Sequence, residues 1–291
     1  GYMYEKGLGV KQDYLKAKEF YEKSSKFKNS NAFYNLGYLY ENGFGVKQDY
    51  YKAKEYYEIS SKQNNANALL NLANMYMNGR AVNQDVEIAE KLYELAAKQN
   101  NSNALCNLGN LYIHGLGVGR NVTKGFEYFE RAAKLNNPHA LKFLGLNYFN
   151  GQLVEKNFTK SCEYFERLVK ITNDEKALLT LGMFYEIGLG VQINYSKAFQ
   201  YYQRAEKLGS KEAFCSLGNL YHEGHGVKQN YFIAKQYYEK AAKIGNDYAN
   251  YCLGVYYYNG FGVQKDPIPG GGGALCHGAA QLPAPQSPER P

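Results

Sequence analysis

Few residues in this 291-residue chain have the type and spacing to do chemistry. His222 and His225 lie three apart, a spacing that can hold a metal on one helix. They straddle Gly224 instead of sharing a helix, and no third ligand stands beside them in the sequence, so no metal is expected. Five cysteines, Cys106, Cys162, Cys215, Cys252 and Cys276, are scattered one at a time. Unpaired spacing of this kind predicts reduced thiols in a reducing compartment, the cytoplasm. Ser25-Lys26-Phe27-Lys28 has the Ser-x-x-Lys spacing of an acyl-enzyme nucleophile but lacks the companion motifs. Several Gly-x-Gly loops invite comparison with phosphate cradles, yet none follows a strand pattern. No nucleophile, base and orienting acid converge, so neither an enzyme activity nor a cofactor is expected.

Four sequons occur, beginning at Asn100, Asn121, Asn157 and Asn194. Three of these asparagines stand where other parts of the chain carry Asp at a helix start. Capping therefore explains them better than glycosylation.

The recurrence behind those positions is the dominant signal. A loop glycine returns at Gly7, Gly43, Gly79, Gly115, Gly151, Gly188, Gly224 and Gly260, in steps of 36 residues with one step of 37. Before it runs Ala-x-x-x-Leu-Gly-x-x-Tyr, as in Ala32, Leu36, Gly37 and Tyr40, or Ala213, Leu217, Gly218 and Tyr221. After it comes Asp or Asn, then Ala and a Tyr pair, as in Asp49, Ala53, Tyr56 and Tyr57. Each half has one apolar face at helical spacing. Asp13, Asp49, Asp85, Asn121, Asn157, Asn194 and Asn230 are the expected N-caps of the second helices. The extra residue falls in the Thr172–Glu175 turn, where an insertion belongs. A single hairpin cannot bury its apolar face, so the units must stack.

These residues resemble the Sel-one-like repeat (SLR) family, a relative of the tetratricopeptide repeats, over roughly residues 1–266. The resemblance implies an all-α fold: a right-handed α/α superhelical solenoid of about seven to eight 36-residue helix-loop-helix repeats. It further implies that first helices line the concave side, and that the chain works as a protein-protein interaction adaptor or scaffold. Departures are local. Ala73 replaces the helix glycine, and the loops at Gly79–Val82 and Gly151–Val154 lose their second glycine.

The chain starts partway through a first helix, and the composition changes abruptly near its other end. Residues 267–291 hold six of the seven prolines and no Lys, Asn or Tyr, which predicts a disordered Gly/Pro-rich tail foreign to the repeats. With neither polar cap present, the solenoid is expected to be a fragment of a longer protein. The net charge of +7 comes from interleaved signs and argues against nucleic acid. No apolar run approaches a membrane span. Thirty tyrosines and no tryptophan, at a mean hydropathy of −0.55, suit thin layers that are never far from water.

One stripe is not explained by folding rules alone. On the first helices, opposite the Ala/Leu/Tyr face, four positions cluster within about 60° of arc. In three successive units they carry Asn31, Asn35, Tyr38 and Asn42; Asn67, Asn71, Asn74 and Asn78; then Asn103, Asn107, Asn110 and His114. Asparagine is a mediocre helix former, and its amide can grip a peptide backbone. Further along the positions turn apolar, at Phe143 and Leu146, then Met183 and Ile187. A polar clamp beside apolar pockets fits a protein or peptide partner. The expected partner-binding residues are therefore Asn35, Asn71, Asn74, Asn107, Asn110, Phe143, Leu146, Met183 and Ile187. A second expectation, of a different class, is that the repeats form the targeting arm of a larger kinase or ubiquitin-ligase type enzyme whose catalytic domain lies outside the chain.

Overall fold

The computed structural model describes residues 1–262, which form helices and short loops only. The first helices of successive units are α1 (Tyr2–Lys6), α3 (Ser30–Asn42), α5 (Ala66–Asn78), α7 (Ser102–His114), α9 (Pro138–Asn150), α11 (Glu175–Ile187), α13 (Lys211–Glu223) and α15 (Asp247–Asn259). The second helices are α2 (Tyr14–Ser25), α4 (Tyr50–Lys62), α6 (Val86–Lys98), α8 (Val122–Lys134), α10 (Phe158–Ile171), α12 (Tyr195–Glu206) and α14 (Tyr231–Lys243). The substantial contacts run between consecutive helices, as a solenoid requires. The predicted tail, residues 267–291, lies outside the described residues.

Local chemistry sets each boundary. Every second-helix cap expected from sequence forms, the Asp or Asn side chain accepting from a backbone N–H in the first turn. Each such cap contributes about 1 kcal/mol. The eight loop glycines all close first helices in the left-handed region, with φ between 65° and 76°.

The departures behave differently from one another. Ala81 keeps the left-handed conformation of the glycine it replaces, at φ 56°, a conformation that costs an L-residue about 1–2 kcal/mol. In the Gly151 loop no second left-handed residue forms. The extra residue lengthens α10 to 14 residues, and the turn is made by Thr172 in extended conformation. The six other turns of this kind use a left-handed Lys28, Asn64, Asn100 or Asn136, or Gly209 or Gly245, at that place.

Adjacent units also interlock through their loops. In four units the residue after the loop glycine lies on the first residue of the preceding second helix. Phe44 stacks on Tyr14 with ring centroids 4.9 Å apart, His225 on Tyr195 at 4.1 Å, and Phe261 on Tyr231 at 4.7 Å. Arg80 covers Tyr50 in the same way.

Candidate functional site: the first-helix stripe

The stripe is built on a row of aromatic rings. Tyr21, Tyr57, Tyr93, Phe129, Phe165, Tyr202 and Tyr238 occupy one position of the second helices, and all are buried. Most lie against the small first-helix residue of their own unit. A Cβ added at Gly37 would lie 2.6 Å from the Tyr57 ring, and one at Gly182 would lie 2.3 Å from the Tyr202 ring. A small residue is required there, glycine in most units and Ala73 in one, because the ring takes the space of a side chain.

A buried phenol needs an acceptor. Each of the five tyrosines finds one on the first helix of its own unit, either 16 or 19 residues back. Tyr21 donates to Glu5 at 2.7 Å, Tyr57 to Glu41 at 2.6 Å, and Tyr202 to Glu186 at 2.6 Å. Where Met77 and His222 replace the glutamate, Tyr93 donates to Asn74 at 2.6 Å and Tyr238 to Asn219 at 2.8 Å. Burial pushes the Tyr93 phenol up to about 12 and raises those of Tyr57, Tyr202 and Tyr238 further, so all act as neutral donors.

The first helix of the next unit closes over the same rings. Asn71 donates to the Tyr57 hydroxyl at 2.9 Å, and Asn107 to Oδ1 of Asn74 at 3.1 Å. At the equivalent position over Phe129 stands Phe143, stacked with centroids 3.9 Å apart and planes 13° off parallel. Over Phe165 the position is Thr180, whose hydroxyl turns back to the Lys176 carbonyl of its own helix at 2.8 Å. Over Tyr57 the position is therefore a hydrogen-bond donor, and over Phe129 it is a stacked ring.

The nine predicted residues divide accordingly. Asn71, Asn74 and Asn107 are half-buried and hydrogen-bonded within the solenoid. Phe143, Leu146 and Met183 are half-buried against the hydrophobic core. Asn35 and Asn110 are half-buried and make no side-chain hydrogen bond among the described residues. Ile187 is 55% exposed. The nine do not form one cavity; they lie along successive first helices.

A second amide ladder escaped the sequence reading. Asn29, Asn65, Asn101 and Asn137 cap first helices, each accepting from two backbone N–H groups. The last three also donate backward, Asn65 to Asn31 at 2.8 Å, Asn101 to Asn67 at 3.0 Å and Asn137 to Asn103 at 2.9 Å. At the next junction a Lys142–Asp174 ion pair of 2.6 Å takes this place. The 36-residue step of those caps was the available signal.

The other candidates have structural roles. Cys106, Cys162, Cys215 and Cys252 are buried and unpaired, and burial raises their thiols, to about 12, 11 and 12 for the first three. Cys276 lies outside the described residues. Nδ1 of His222 meets the Tyr256 hydroxyl at 2.7 Å, while His225 stacks on Tyr195. No group of three metal-ligating side chains occurs among the described residues. Asn121, Asn157 and Asn194 are helix caps, as expected.

The Sel1 repeat profile matches the chain eight times, at residues 1–26, 30–65, 66–101, 102–137, 138–170, 176–210, 212–246 and 247–268. The chain belongs to the Sel1 repeat family. It is similar to a protective antigen of uropathogenic Escherichia coli displaying an SLR fold, with 31% identity and a TM-score of 0.64. That likeness covers 91% of this chain and 56% of the antigen, so the chain spans little more than half of that relative. A Sel1 repeat protein from Oxalobacter formigenes is 30% identical with a TM-score of 0.62, over 79% of this chain and 94% of its own. No curated protein sequence matches the chain significantly. Sel1 repeats form a scaffold fold that mediates protein-protein interaction. Among the described residues no helix of this Sel1-repeat chain is long and apolar enough to cross a membrane.

Proposed function

We propose that this chain is a protein-protein interaction scaffold that binds an extended peptide segment, or the equivalent edge of a partner, along the concave face lined by its first helices. One observation carries the reading. The amides of Asn71, Asn74 and Asn107 are fixed in line on adjacent first helices while remaining half-exposed. An amide offers two N–H donors and a carbonyl with two lone pairs. Within the described residues Asn71 uses one N–H, which leaves its other N–H and its carbonyl for a ligand. A side chain already immobilised by its neighbours loses little entropy on binding. Leu146, Met183 and Ile187 extend the same face with apolar surface.

The internal bonds determine which substitutions can test this. Replacing Asn71, Asn107 or Phe143 would disturb the stacking of repeats as well as any ligand. Asn35, Asn110 and Ile187 tie no two units together, so Asn35→Asp, Asn110→Asp and Ile187→Glu alter the face and leave the frame intact. A pull-down from extract of the source cells should recover a partner with the parent chain and lose it with the triple variant at equal helicity by circular dichroism. A partner held equally by both would move binding to the second-helix face or the loops.

A further inference from the structure

The charges that alternate along the chain are sorted when it folds. The turns leading from each second helix to the next first helix all come to one edge of the solenoid. Side-chain bonds tie neighbouring units together along that edge: Arg167 donates to Oδ1 of Asn136 at 2.9 Å, Arg204 to Oδ1 of Asn173 at 3.2 Å, and Asn65 to Asn31 at 2.8 Å.

Over four consecutive turns the edge is basic and free of acid. Residues 23–32, 59–68, 95–104 and 131–140 hold six lysines, one arginine and no Asp or Glu. Residues 167–177, 204–213 and 240–249 mix the signs, yet each stretch keeps an excess of one positive charge. The lysine just before the turn recurs in all seven, from Lys26 through Lys134 to Lys243. These lysines are exposed and make no ion pair among the described residues.

A lysine at that place complements the helix dipole, which accounts for its recurrence. The dipole does not account for the residue that follows. Phe27, Leu135, Ile171, Leu208 and Ile244 occupy one position of the turn and are 44% to 87% exposed. Gln63 and Gln99 complete the same turn with polar side chains, so the fold does not need an apolar residue there.

We propose that this edge is a docking site for an anionic lipid surface. The lysines pair with the acidic headgroups, while the apolar side chains enter the boundary between headgroups and acyl chains. Charge complementarity sets the sign of the partner. Aliphatic tips beside long ammonium-bearing stems fit a bilayer better than a nucleic acid. The arginines that could fork onto nucleic-acid phosphates are engaged, Arg131 with the Ala97 carbonyl, Arg167 with that of Ala133 and Arg204 with that of Val169. None of these lysines or apolar residues belongs to the first-helix stripe, so the proposal is independent of the peptide-binding reading.

The probe is a vesicle of phosphatidylcholine and phosphatidylserine, compared with one of phosphatidylcholine alone, in co-sedimentation with the full 291-residue chain. The chain should sediment with the anionic vesicles, stay in solution with the neutral ones, and be released as salt is raised. Lys62→Gln, Lys98→Gln and Lys134→Gln together should weaken partitioning at least about tenfold. Leu135→Gln, Ile171→Gln and Leu208→Gln together, which repeat what Gln63 and Gln99 already do, should weaken it by a similar factor. Circular dichroism checks that both triple variants keep the helicity of the parent. Equal partitioning to the two vesicles, no partitioning to either, or an aliphatic variant that binds as the parent does would overturn the proposal. So would a chain that ignores vesicles and binds a DNA duplex or polyglutamate, since that would assign the edge to a nucleic acid or an acidic protein.

Discussion

The hydroxyl of Tyr93 donates to Oδ1 of Asn74, nineteen residues back, at 2.6 Å. The same reach, applied to the two units where Phe replaces Tyr, separates them. Nineteen residues before Phe129 stands Asn110, which makes no side-chain hydrogen bond among the described residues; nineteen before Phe165 stands Leu146, and sixteen before it Phe149. Phe129→Tyr should therefore change stability by less than about 0.5 kcal/mol, while Phe165→Tyr leaves a buried hydroxyl without an acceptor and should cost about 1–3 kcal/mol. Adding Leu146→Asn to Phe165→Tyr should recover about 1 kcal/mol in a double-mutant cycle by urea unfolding. Equal costs at the two sites would refute the pairing rule.

The same substitution at two glycines should act in opposite directions. Gly182→Ala puts a Cβ 2.3 Å from the Tyr202 ring, and overpacking of about 1–3 kcal/mol outweighs the helix-propensity gain of about 1 kcal/mol. Gly254→Ala meets nothing within 4 Å among the described residues and should keep that gain. Thermal melts of the two single variants decide it.

Burial raises the Glu186 carboxyl above its ordinary 4.5, against the smaller effect of the Tyr202 hydrogen bond. Between 4.5 and the raised value the folded chain holds a proton that the unfolded chain releases. Stability from this group is therefore present at the acid end of that window and is lost as pH rises through the folded value. Glu186→Gln should raise the melting temperature at neutral pH, and the difference from the parent should shrink on acidification. A difference independent of pH between 4 and 7 would show that the carboxyl is not perturbed.

Buried thiols with raised pKa values are poor nucleophiles. Cys106, Cys162, Cys215 and Cys252 should resist iodoacetamide at pH 8 in the folded chain and all alkylate in guanidinium, as read by peptide mapping. Rapid native labelling of any of the four would mean that its helix opens readily.

Ala81 holds a left-handed conformation that costs an L-residue about 1–2 kcal/mol. Ala81→Gly removes that strain and adds back some unfolded-state entropy, for a net gain of about 1 kcal/mol. An unfolding midpoint lower than the parent's would show that the loop is relaxed as it stands.

How much of this was legible in advance depends on how far apart the interacting residues lie. The N-caps at Asp49 and Asn121, the left-handed stops at Gly43 and Gly115 and the burial of Ala53 and Tyr57 are set within one turn or one helix face, so spacing alone determined them. A 36-residue period then required stacking, because one hairpin cannot bury its own apolar face. The use of each asparagine in the stripe was decided elsewhere. Asn71 meets Tyr57 fourteen residues away and Asn65 meets Asn31 at thirty-four, separations that become contacts only when the angle and rise between units are fixed. Sequence placed Asn71 and Phe143 on one line; tertiary packing made the first a hydrogen-bond donor to a phenol and the second a lid on a phenyl ring, because a buried hydroxyl demands a partner and a bare ring does not.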